Sequence, residues 1–161
     1  MNEDNLNRAA QSYLGKLSGS EAQLPAEELE RRRIAAEAEA LAKANEAKLF
    51  NFMQRVDGRI LELSQLIKER AEIRKTGDGG GQSANVFVSK TSHYEMFSAG
   101  AKPGVHPLQI SADAQSNRVE AMLAVPDISV PRPVLSEGTL SGANDAWIDD
   151  ALEKWLASAA F

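Results

Sequence analysis

The chain has no cysteine, and aromatic residues make up only 6% of its 161 residues. The first absence removes disulfides, thiolate zinc sites and cysteine nucleophiles, and it fits a reducing compartment. The second, together with an uneven spread of apolar residues, argues against one core running through the whole chain. The only histidines are His93 and His106, too few and too far apart to make a metal site. No apolar run approaches the roughly 18 residues of a membrane span. The polar start, MNEDNLNR, is not a secretory signal.

The formal net charge is −5, and no stretch is basic enough to dominate binding to phosphates. Nucleic acid is therefore not the expected partner. The glycine run 79–81 is followed by no Gly-Lys-Ser/Thr and follows no evident strand, so it is not a phosphate loop. Ser92, His93 and Glu95 carry the residue types of a triad, but near neighbours on an extended chain point apart. No catalytic residue, cofactor or metal is expected.

What the chain does have is one long helical stretch, residues 25–75. Pro25 suits the first helical position, and Glu27 and Glu28 lie in the first turn. Lys68, Arg70, Arg74 and Lys75 sit where the helix dipole favours bases, before Thr76-Gly77-Asp78-Gly79-Gly80-Gly81. Leu49, Met53, Val56, Ile60, Leu63 and Ile67 alternate four and three residues apart, the spacing of a coiled-coil seam. Phe52, Leu66 and Ile73 widen the stripe, which suits three or more chains, or a larger helical assembly, better than a pair. Upstream the pattern stutters through Ile34, Ala38, Leu41 and Asn45 amid many alanines. Asp57-Gly58 is a turn signal that would make a hairpin of 26–56 against 59–75. The seam keeps its phase across it, which favours one unbroken helix. Arg31, Arg32 and Arg33 are ringed by glutamates, so they read as an internally paired, solvated face.

Residues 1–20 contain a short amphipathic helix with Leu6, Ala10, Tyr13, Leu14 and Leu17 on one face. It is expected to pack on its own long helix or on a different protein. Residues 76–143 hold eight of the eleven glycines and five of the six prolines. This segment reads as a linker with short strand or helix pieces, either disordered or ordered against a partner. Within it, Asn117 and Glu120 form a capping-box pattern for a helix through Ala124. Residues 144–161 form a C-terminal amphipathic helix that concentrates both tryptophans. Trp147, Ile148, Leu152, Trp155, Leu156 and Phe161 are its candidate docking residues, with Asp149 and Asp150 facing a basic rim. The competing possibility is that it folds back on the long helix.

These features predict a mainly α chain: a central coiled-coil helix flanked by short amphipathic helices and an extended, partly disordered segment. The function expected is that of a non-enzymatic, oligomeric assembly adaptor. It would associate with itself through the central seam and with at least one other protein through the C-terminal helix. No motif identifies a family. In layout alone the chain looks like small structural or assembly proteins of phage particles, secretion-machine subunits and modular viral phosphoproteins. Two other classes stand beside this one. A nucleic-acid packaging or processing accessory would use Arg31 to Arg33. A peripheral membrane binder would use the first helix, whose only bases, Arg8 and Lys16, are offset by Glu3 and Asp4.

Overall fold

A computed structural model describes residues 3–22, 25–98, 105–127 and 129–158. The chain divides into two compact units, residues 1–41 and 42–161. The first holds helix α1 (Glu3–Ala22) and residues 26–41 of helix α2 (Ala26–Ile67). The second holds the rest of α2, seven strands and helix α3 (Asp145–Ala157). No helix among the described residues is long and apolar enough to cross a membrane.

The strands overturn the expectation of a mainly α chain: about 49% of it is helix and 29% is strand. They are β1 (Ala71–Gly79), β2 (Gln82–Ser83), β3 (Val86–Phe87), β4 (Ser89–Ser98), β5 (Leu108–Asp113), β6 (Arg118–Leu123) and β7 (Val134–Thr139). A five-stranded antiparallel sheet runs in the order β1-β4-β5-β6-β7, and β2 pairs with β3 in a small insert. Residues 76–143, expected as a linker, therefore supply most of a sheet.

Local chemistry explains each departure. The long helix stops at Ile67, where the Arg70 amide donates to the Ile67 carbonyl at 2.8 Å and closes a turn. The next residues, expected to complete the helix to Lys75, instead form the edge strand β1. Ala84 and Asn85 both take positive φ (50° and 65°), the conformation of a tight two-residue hairpin turn. Asn117 does not cap a helix. It sits at φ 53° at the end of the β5–β6 turn, where Asp113 Oδ1 accepts from the Gln115 and Ser116 amides at 2.8 and 3.0 Å. Asp57-Gly58 leaves α2 unbroken, and Gly58 faces open space.

Period-two alternation puts Tyr94, Leu108, Ile110, Ala112, Val119, Ala121 and Leu123 on one face of the sheet, all buried. The register stacks them across strands: Tyr94 opposite Leu108, Ile110 opposite Ala121, Ala112 opposite Val119. Residues 49–60 of α2 and the inner face of α3 cover this face and form one core with it.

Candidate docking surface

The stripe expected to join chains is occupied within one chain. Leu49 and Val56 are fully buried, and Phe52, Met53 and Ile60 nearly so, in the same cluster as the sheet residues. Leu63 packs at the edge of that cluster and Ile67 is half-buried. The fold-back alternative for the C-terminal helix matches the geometry. Ile148, Ala151, Leu152 and Trp155 are buried in the shared core, and Trp147 packs against it. The Trp155 indole N–H donates to the His106 carbonyl at 2.9 Å. Leu156 is half-buried, and Phe161 lies outside the described residues.

The start of α3 follows the sequence. Asn144 is its cap, with Oδ1 accepting from the Trp147 amide at 3.0 Å. The Trp147 indole then turns back to donate to the Glu137 carbonyl at 3.1 Å. It lies so close to Gly138 that a Cβ there would be 2.9 Å from Nε1. Phe52 meets the Trp147 ring at 5.8 Å, tilted.

The basic rim expected for Asp149 and Asp150 belongs to this chain. Arg59 donates to Asp149 through Nε and Nη2, both at 2.7 Å, and Arg55 Nη2 donates to Asp145 at 2.8 Å. The hydrogen bond to Asp149 is the main cause holding the Arg59 guanidinium above its ordinary pKa. Asp150 is held below the usual aspartate range, chiefly by Lys154 and then by the Ser136 hydroxyl. Arginines at 55 and 59 meet aspartates at 145 and 149, so the two helices run side by side in one direction. That matched four-residue spacing was the sequence signal for the pairing.

Beyond this point the helices leave apolar surface open. Leu63, Leu66, Leu152 and Leu156 line a groove of about 270 Å³, rimmed by Arg59, Glu62, Asp149 and Glu153. Leu66 is 84% exposed. Arg59 is already engaged by Asp149 and by Glu62 at 2.6 Å, and Glu153 has no ion pair among the described residues. The groove is thus an apolar floor with an acidic border.

A second cluster lies where α2 crosses β1 and β4. The Tyr94 hydroxyl donates a short hydrogen bond to Asp57 Oδ1. Lys75 joins Asp57 at 3.1 Å to Asp78 at 3.8 Å, and Lys90 reaches Asp78 at 3.4 Å. The Lys90 ammonium also sits 4.6 Å from the Phe87 ring centroid and 5.3 Å from that of Phe50. Burial first, then the bond to Asp57, pushes the Tyr94 phenol far above the ordinary tyrosine range. Each charge in this chain of contacts has a partner of opposite sign, so the cluster ties α2 to the sheet edge. Sequence reading missed it because its contacts join residues far apart in the chain, Tyr94 and Asp57 being separated by 37 positions.

Catalytic geometry is not assembled by the histidines. His93 lies on the other face of the sheet, its Nε2 3.2 Å from Gln109 Oε1, and His106 is exposed. Arg132 also donates to Gln109 Oε1, so that oxygen is an acceptor and His93 Nε2 is the donor. Among the described residues no group of three or more His, Asp or Glu could hold a metal ion. No family model matches the chain, and neither a curated protein nor a solved structure matches it.

Proposed function

We propose that this protein is a non-enzymatic structural adaptor whose second unit is a rigid docking base. Its partner is an amphipathic segment, helical and basic at its flanks, seated in the groove between the ends of α2 and α3. The single observation that carries this reading is the groove itself. Leu66 stands open to solvent and Leu63 and Leu156 stay half-exposed over the buried Leu152, behind three carboxylates and one engaged arginine. The other large apolar residues of α3 are used up in the core. Exposed apolar floors with complementary charged borders are how helix-in-groove recognition works.

Other observations weigh against the nucleic-acid alternative. Arg31, Arg32 and Arg33 are bridged to Glu28, Glu30 and Glu37 on their own helix, so the one basic triplet is already neutralised.

The test uses synthetic amphipathic helices of equal hydrophobicity with basic or acidic flanks, titrated against the full chain by fluorescence anisotropy. Basic peptides should bind, with an affinity that falls as salt rises. Leu66→Asp should weaken binding about tenfold or more without changing the fold, because Leu66 is 84% exposed. Equal binding of both peptide classes, or an unchanged affinity in Leu66→Asp, would remove the groove from consideration.

A further inference from the structure

The first unit poses a physical problem that the chain does not solve by itself. Every described side chain from Glu3 to Lys16 of α1 is exposed, Leu6 at 61%, Tyr13 at 64% and Leu14 at 60%. From Ala26 to Leu41 of α2 all side chains are exposed except that of Glu28, which is half-buried. Leu29, Ile34 and Leu41 are 51–62% exposed there. A helix of about 20 residues is marginal in water on its own, and in proteins it is held chiefly by the burial of its apolar face. Neither residues 3–16 of α1 nor residues 26–41 of α2 receive that burial here.

We infer that residues 3–16 of α1 and 26–41 of α2 form the self-association element of this protein, and that the surface covering each copy's apolar stripes is the same two stretches of a second copy. The exposed area is enough for two copies. Burying a leucine-sized side chain removes roughly 100 Å² from water. Leu6, Tyr13, Leu14, Leu29, Ile34 and Leu41 then supply about 600 Å² per copy and about 1,200 Å² per pair, the lower bound of a stable interface. Four helices, two from each chain, are also the number that closes a simple bundle around a shared core.

Charge agrees. The three arginines of α2 in this segment are spent on glutamates three and four residues away, Arg31 and Arg32 on Glu28, Arg33 on Glu30 and Glu37. The hydrogen bond to Arg33 holds the Glu30 carboxyl below the usual range. Pairing within one helix lowers the repulsion that this arginine-bearing stretch would feel on meeting its own copy. The segment carries more acid than base, so it is a poor match for the acidic groove of the second unit. This proposal rests on the exposure of residues 3–16 and 26–41 and is independent of the groove.

The experiment is sedimentation equilibrium of the full chain, with far-UV circular dichroism across the same concentrations. The wild type should give the mass of two copies at tens of micromolar, against 17.4 kDa for one. Its helicity should fall on dilution as the unpaired helices fray. Ile34→Asp with Leu41→Asp should weaken association about 100-fold or more and give the mass of one copy. Leu6→Asp with Leu14→Asp should act in the same direction. The fluorescence of Trp147 and Trp155, both in the second unit, should not change in either variant, which separates lost association from unfolding. Leu66→Asp should leave the mass of two copies intact. A wild type that stays a single copy at 100 μM, an assembly larger than two, or a two-copy mass that survives both double substitutions would each overturn the proposal.

Discussion

Trp155→Ala measures how far the C-terminal helix belongs to the protein's own core. Trp155 is fully buried among residues of α2, α3 and the sheet. Truncating a buried tryptophan to alanine costs about 3–5 kcal/mol, from lost transfer energy and the cavity left behind. Losing the indole N–H adds little, because its acceptor, the carbonyl of the exposed His106, can be rehydrated. A unit of this size has about 5–15 kcal/mol in total, so the variant loses roughly a fifth or more of its stability. Urea unfolding followed by the fluorescence of the remaining Trp147 isolates the second unit from the first. The midpoint should drop sharply with the slope unchanged. Leu66→Ala, at an 84% exposed position of the neighbouring helix, should stay within about 0.5 kcal/mol of wild type. A Trp155→Ala midpoint equivalent to less than about 1 kcal/mol of destabilisation would mean that α3 is not part of this core.

Gly138→Val should destabilise the second unit by about 1–3 kcal/mol, because the added Cβ would sit 2.9 Å from Trp147 Nε1. Adding Trp147→Leu should recover part of that loss, and additive effects in the double variant would refute the close approach. The raised pKa of Tyr94 also predicts a pH dependence. The folded state keeps the phenol proton more tightly than the unfolded chain, so this contribution is whole below about pH 10 and declines as pH rises above it. Urea midpoints measured from pH 8 to 11 should show that decline in wild type and lose most of it in Tyr94→Phe. An equal slope in the two proteins would refute the assignment to Tyr94.

Much of the helical part was legible in one dimension. The long helix, its continuity through Asp57-Gly58, the Asn144 cap and the apolar face of α3 all follow from capping chemistry and periodicity. The sheet was harder. Leu108, Ile110 and Ala112, then Val119 and Ala121, do alternate with polar residues, although Met122 breaks the pattern before Leu123, and the loop 113–117 between them is rich in turn formers. That signal was masked by the glycine and proline around it and by Asn117, whose spacing from Glu120 imitates a capping box. Strand β1 carried almost no signal of its own. Glu72 and Arg74 pair on one face, and Ile73 continues the helical phase of Leu66, so only pairing with β4 makes it a strand.

The sequence by itself determined that a wide apolar stripe from Leu49 to Ile67 must be buried and that the tryptophan-bearing helix must find a surface. It also determined that the arginine triplet would be neutralised by its own glutamates, because partners three and four residues apart on a helix meet whatever the rest of the chain does. Tertiary structure decided where the burial happens. Hydrophobic burial is non-directional, so a stripe of leucine, methionine, valine and isoleucine is satisfied equally well by another chain or by a sheet of the same one. The choice was made by strand pairings between residues far apart in sequence, which present Leu108, Ile110, Val119 and Ala121 as a surface of the right width. With most of the stripe and both tryptophans packed on that core, the apolar surface that stays open includes the leucine groove at the ends of α2 and α3, and the stripes of residues 3–16 and 26–41.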